Sequence, residues 1–273
     1  MYGFEKYDSA FKLHLRAARA FLGLPKNVAS FGLVSELDWL LPRYQSHLKM
    51  IQYFSRIMCT PSTSLLYKIY VWDRNLNESK QINTWSAEIK SICYEHNMPY
   101  VFDQQQIFST KSTIKQLKTS MYKKQQQLLK TECKNKPKLR TFMLFKDFEN
   151  LPPHVGKPLS FVERRFISKL RLGILPLRLE TARYLRPKLP EHERVCYCNS
   201  GEVESEYYVL FYCPMYNDLR RQWLRKLCIP ENFNELTKPE KLSLVLNKSE
   251  NIRQTAQYIV SVMDLRSLLN KVY

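Results

Sequence analysis

A mainly α-helical fold is expected from this sequence, on three observations. Glycine is scarce: 6 in 273 residues, far below the roughly 7% average, so a turn-rich sandwich or barrel is disfavoured. Apolar residues recur every three or four positions along most of the chain, the period of a half-buried helix. The breaks between these stretches carry helix stop and start signals: Gly23 with Pro25, Gly173 with Pro176, and the capping box Ser160-x-x-Glu163.

The first helix is expected over 7–22, with Phe11, Leu15, Ala18 and Leu22 on one face. Pro42 interrupts the next apolar stretch. A second helix follows over about 43–59 (Leu48, Ile51, Phe54, Ile57, Met58). Pro61 and Ser62 open another, with Leu65, Leu66, Ile69 and Tyr70 expected inward. Asn83 is read as the cap of a helix carrying Trp85, Ile89 and Ile92, and 97–110 as loop with a short turn. Residues 109–134 read as a long, mostly solvated helix, rich in Lys and Gln, with Ile114, Leu117, Met121, Leu128 and Leu129 as a thin apolar stripe. A short helix with Leu139, Phe142, Phe145 and Phe148 follows Pro137, then a proline-rich loop over 150–158. The capped helix carries Phe161, Phe166, Ile167 and Leu170. An irregular cysteine-bearing loop occupies 187–202, a short helix lies near 204–213, and further helices fall at 215–227 and about 249–270.

The charge is lopsided. The chain has 43 Lys and Arg against 25 Asp and Glu, a net +18. Residues 111–190 hold 20 of the cations and 5 of the acids, so +15 sits in under a third of the chain. A concentrated excess reads as a binding face for an anionic partner, RNA or DNA. The candidate phosphate contacts are Lys111, Lys115, Lys118, Lys123, Lys124, Lys138, Arg140, Arg164, Arg165, Lys169, Arg171, Arg178 and Arg183. Lys111, Lys115 and Lys118 share a helix face, and such a row displaces counterions along a phosphate backbone. The arginines that follow can grip phosphate bidentately.

Cys196-Tyr197-Cys198, then Tyr208, then Cys213 approximate a zinc knuckle of C-x₂-C-x₉-H-x₄-C order. The first pair is one residue too close, and tyrosine fills the histidine slot. The expectation is a degenerate, metal-free knuckle without a cofactor. Zinc on Cys196, Cys198 and Cys213, with His192 as a fourth ligand, stays open. Glu202, Glu204 and Glu206 are read as acids entering a short helix rather than as a cation site.

Catalytic signatures are missing from the sequence. It has no adjacent carboxylates, no H-E-x-x-H, no G-x-S-x-G and no clustered glycines for a phosphate loop. A non-enzyme is expected. The start lacks a secretory apolar region, the seven cysteines are odd in number, and no apolar run approaches the ~20 residues of a membrane span. Those features lead to the expectation of a reducing compartment, nuclear or cytoplasmic, with no membrane partner.

Several stretches, in order, resemble the region downstream of the reverse transcriptase core in non-LTR (LINE-type) retrotransposons. They are Tyr2-Gly3-Phe4 and Arg19 to Leu24; Glu36 to Pro42; Ile69 to Asp73; Trp85-x-x-Glu88-Ile89; and Pro137 to Phe142 with Phe145-Lys146. Leu170-Arg171-x-Gly173 to Leu177 and Glu180 to Tyr184 follow, then Glu193 to Cys196, Val203 to Glu206 and Phe211 to Pro214. The resemblance implies a helical thumb-like region over 1–108, a basic helical nucleic-acid-binding region over 109–190 and a degenerate CCHC-like knuckle with its following helix over 191–228; beyond it a helical tail is expected over 229–273. It implies that these parts hold template RNA and target DNA, while the family's catalytic core lies upstream of the matching region. Two other readings fit the sequence: a helical scaffold for a protein partner, and a truncated retroelement product without a cellular role.

Overall fold

The computed structural model describes residues 7–80, 83–105 and 110–269, leaving Tyr2-Gly3-Phe4 outside the described residues. Its α-helices, in chain order, are α1 (Asp8–Leu22), α2 (Ser30–Leu37), α3 (Pro42–Met58), α4 (Leu65–Lys80), α5 (Trp85–Glu95), α6 (Pro99–Asp103), α7 (Thr110–Lys134), α8 (Phe142–Phe145), α9 (Pro153–Gly156), α10 (Phe161–Arg171), α11 (Arg178–Thr181), α12 (Glu206–Phe211), α13 (Asn217–Leu224), α14 (Lys238–Leu246) and α15 (Ile252–Leu269). The fold is mainly α. Among the described residues there is no strand, and Val195 and Val203 form an isolated antiparallel bridge.

The chain divides into two compact units that are interleaved in sequence. The first comprises residues 1–14 and 40–128, the second 15–39 and 129–273. This differs from the four consecutive segments expected above. Residues 15–39 belong with the second unit, and the basic 109–190 stretch is divided between the two at residue 128. The reason is local: α1 and α7 each run through a point where their buried neighbours change.

The first unit has its own core, centred on Met50, Ile51, Phe54, Tyr70, Ile89, Ile92, Phe102, Leu117 and Met121. α3 starts with Pro42 at its first position, where a missing N–H costs nothing. α5 is capped by Thr84, whose Oγ1 accepts the Ala87 N–H at 3.4 Å, not by the expected Asn83. On α4 the expected inward set holds for Tyr70, which is buried, and for Leu66, which packs partly buried against the core, but not for Leu65, 74% exposed, or Ile69, 52% exposed.

Helix α7 buries Thr113, Leu117, Met121, Gln125, Leu129 and Cys133. A strict four-residue step overruns the 3.6-residue turn, so this stripe winds around the helix by about 40° per step. Leu128, expected inside, is therefore outside. Gln125 takes an inward place, where its Oε1 accepts the Leu41 N–H at 2.7 Å.

In the second unit α1 ends in a Schellman turn. Gly23 has φ +64°, its N–H reaches the Ala20 carbonyl, and the Leu24 N–H reaches that of Arg19. α10 opens on the expected capping box, with Ser160 N–H donating to Glu163 Oε2 at 2.7 Å and Glu163 N–H to Ser160 Oγ at 3.2 Å. It closes at Gly173, where φ is +65° and an added Cβ would run into the Lys138 carbonyl oxygen. α10 packs on α15. Trp223 of α13 stacks on Tyr258 of α15, ring centroids 4.4 Å apart.

Candidate nucleic-acid interface and cysteine cluster

The candidate cations fall into two groups, one on each unit. In the first unit α7 presents Lys111, Lys115, Lys118 and Lys123 to solvent. Lys118 Nζ lies 5.8 Å over the Tyr122 ring. None of these four pairs with a carboxylate among the described residues. Lys124 differs: it is half-buried, 3.6 Å from Glu95 Oε1, and also donates to the Glu95 carbonyl.

In the second unit the arginine-rich set is largely engaged inside the fold. Arg171 is a correction to the expected phosphate contacts: it is fully buried. Its Nε and Nη2 donate to the two Glu36 carboxylate oxygens at 2.7 and 3.0 Å, and Nη1 donates to the Leu246 carbonyl at 2.7 Å. Burial by itself would raise the Glu36 carboxyl. The Arg171 charge, with His154 and Lys146, overrides it and holds the carboxyl at about 2.

Most of the others are also held. Lys138 pairs with Glu180 at 2.9 Å and donates to Tyr184 Oη. Arg183 lies 3.6 Å from the same Glu180. Arg140 lies 3.7 Å from the buried Glu206. Arg178 sits 5.1 Å over the Tyr197 ring. Lys169 is half-buried over Phe166, and burial lowers its pKa.

Arg164 and Arg165 are placed differently. The Arg164 guanidinium lies 5.0 Å over Phe21, and Arg165 is exposed. The Phe161 ring lies against Gly23 and is exposed, as is Phe21. Phe21 and Phe161 thus join two arginines on one surface. Sequence reading placed Phe161 in a helix pattern and Phe21 only within the Arg19 to Leu24 stretch, and missed this; the signal available was an aromatic four residues before Arg165, one helical turn away.

The three knuckle thiols converge. Their sulfurs lie within 4.8 Å of one another. Cys196 and Cys213, both buried, have Sγ atoms 3.6 Å apart, close to the ~3.8 Å edge of a tetrahedron with Zn–S bonds of about 2.3 Å. The Val195–Val203 bridge positions Cys196, and the end of α12 positions Cys213. The hydrogen bond from Cys196 pushes the Cys213 thiol down to about 6, while the Cys196 thiol is raised. Three thiol donors are therefore gathered within reach of one another. In the histidine slot of the pattern, Tyr208 Oη lies 3.1 Å from Cys198 Sγ and donates to Ser200 Oγ at 2.6 Å. Burial raises the Tyr208 phenol to about 12, so it is a neutral hydroxyl at neutral pH. His192 is no fourth ligand: its side chain is 81% exposed and turns to Glu193.

Two of the nearby acids are structural. Glu204 is buried, receives Nη1 and Nη2 of Arg266 and accepts the Arg178 N–H. Glu206 is buried and accepts from Thr141 Oγ1 at 2.9 Å. They tie the knuckle to α15 and to the segment before α8, a role that an acid-rich helix entry did not anticipate for Glu204.

Fold and site together define a mainly helical chain with exposed basic surfaces and a three-thiol cluster. No protein-family profile, curated protein or solved structure matches it. No helix among the described residues is long and apolar enough to cross a membrane.

Proposed function

We propose that the chain is a non-catalytic nucleic-acid-binding protein of retroelement derivation, contacting RNA or single-stranded DNA through phosphates and stacked bases. The observation that carries this is α7, whose 25 residues hold seven lysines and one acid, Glu132. A helix with that balance repels itself and is stabilised by a polyanion. Lys111, Lys115, Lys118 and Lys123 are the phosphate contacts. Phe21, Phe161, Arg164 and Arg165 supply ring and guanidinium faces on which unstacked bases can rest. Arg171 has no part in this. All seven cysteines are free thiols, which supports a reducing compartment, nuclear or cytoplasmic.

Fluorescence anisotropy with single-stranded RNA at two salt concentrations tests the proposal. Binding should weaken steeply as salt rises. Binding that ignores salt, or no binding, defeats the reading.

A scaffold reading has one observation of its own. Leu65, Ile69 and Trp72, at i, i+4 and i+7 on α4, form an exposed apolar row, of the kind that marks a protein contact. If RNA and heparin both fail to displace a bound protein partner, that reading gains.

A further inference from the structure

The first unit contains a second convergent donor cluster. His47 on α3 is 1% exposed, and neither of its ring nitrogens has a hydrogen-bond partner. His96, just past α5, is 3% exposed. Its Nδ1 is 3.0 Å from Ser120 Oγ, and its Nε2 has no partner. Glu95 precedes it and is half-buried. One nitrogen from each ring and one Glu95 carboxylate oxygen lie within 4.8 Å of one another.

A buried imidazole presents a donor and an acceptor, and native interiors rarely leave both unsatisfied. His47 does so. Glu88 Oε1 is its nearest acid at 3.9 Å, beyond hydrogen-bond reach. The Tyr44 ring stands edge-on to both imidazoles, 6.2 and 6.0 Å away.

We propose that His47, Glu95 and His96 form a binding site for a divalent transition-metal ion, zinc first among them. Two imidazole nitrogens and one carboxylate oxygen are the donors that zinc takes when a fourth position is left to water. Ser120 orients the His96 ring from outside the site, the usual support for a ligating histidine. A neutral imidazole keeps one ring nitrogen with a free lone pair, and His47 and the His96 Nε2 have no hydrogen-bond partner to occupy theirs. Arg43 Nη2 at 3.0 Å and Lys124 Nζ at 3.6 Å hold Glu95 at present. Arg43 is half exposed, so it can release its oxygen to the metal and turn to water. This site lies wholly in the first unit, and the thiol cluster wholly in the second.

The test is a cobalt(II) titration of the full chain, followed by zinc competition, with Cys196, Cys198 and Cys213 replaced by Ser. One equivalent is expected, with visible d–d bands and no thiolate charge-transfer band. His47→Gln or His96→Gln should abolish it, and Glu95→Gln should weaken it by about tenfold or more, the scale on which even outer-shell losses act. Circular dichroism checks that each variant is folded; Glu95→Gln, half-buried, carries the test if a histidine variant unfolds. Should the serine background fail to fold, zinc titration of the unaltered chain against Glu95→Gln and His96→Gln reads the same site, one equivalent fewer being expected for His96→Gln and one equivalent weakened by about tenfold or more for Glu95→Gln. No binding, or binding indifferent to these substitutions, overturns the proposal.

Discussion

Arg171 and Glu36 meet 135 residues apart in sequence, through two hydrogen bonds of 2.7 and 3.0 Å, with both side chains fully buried. The Asn247 Oδ1 and Leu246 carbonyl complete the guanidinium's partners, and the Phe145 ring lies 4.8 Å beneath it. A charge pair so enclosed is costly to break, because one partner alone leaves a naked charge. Glu36→Gln or Arg171→Met should each destabilise by about 3 to 5 kcal/mol, read in urea unfolding. The double variant should cost less than the two singles together. Additive losses would deny the coupling.

Acid should act on this network and, separately, on the buried His47 of the first unit. The folded pKa of His154 is held at about 3 and that of His47 at about 4, in both cases first by burial, against an ordinary 6.5. That of Glu36 is held at about 2 against 4.5. In each case the unfolded chain binds the proton more readily, so stability falls as pH falls. The histidines act below about 6.5 and Glu36 below about 4.5, down to about 2. The Glu36 part is worth about 3 kcal/mol. Tm measured from pH 8 to pH 3 should decline from about 6.5 downward, and His154→Asn should flatten the upper part of that decline. A Tm independent of pH down to 4 would sink this account.

Phosphate contact on α7 has a quantitative signature. Each contact to a single strand contributes about 0.7 to the slope of log affinity against log salt. Replacing Lys111, Lys115 and Lys118 together by Ala should reduce the slope by about 2 and weaken binding at low salt. Lys138→Ala should change it little, since Glu180 already holds that ammonium. An unchanged slope in the triple variant would move the contact elsewhere.

Tyr208, in the histidine slot of the knuckle pattern, places its hydroxyl 3.1 Å from Cys198 Sγ. Tyr208→His should therefore tighten zinc binding at Cys196, Cys198 and Cys213 by at least about tenfold, as a nitrogen ligand replaces a neutral hydroxyl. Zinc competition against a chromophoric chelator measures it. Equal affinity in both proteins would mean that residue 208 lies outside the coordination sphere.

Local signals were the legible part of this fold. The Ser160–Glu163 box and the Gly23 and Gly173 stops depend on residues a few positions apart, and each is where the sequence put it. The same rule would have found α14, whose Thr237–Glu240 box went unread. Partners far along the chain were not legible. Arg171 looks like its neighbours Arg164 and Arg165, and only a carboxylate 135 residues earlier makes it a core residue. Leu128 and Gln125 exchanged places because the buried stripe of α7 winds, which a fixed helical face does not capture. His47 and His96 lie 49 residues apart in sequence, and only the packing of α3 and the end of α5 brings them together.

The interleaving of the two units sets an order of events during synthesis. Residues 15–39 leave the ribosome before residues 40–128, yet their buried partners belong to 129–273. At about 5 to 20 residues per second, Glu36 waits roughly 7 to 27 s for Arg171 to be made. Until residue 129 and those after it emerge, α2 carries Leu33, Val34 and Leu37 without the later part of its own unit, while residues 40–128 can already assemble their core. The nascent chain thus holds a finished unit beside an uncovered apolar helix, and it is in this window that a chaperone would find its grip.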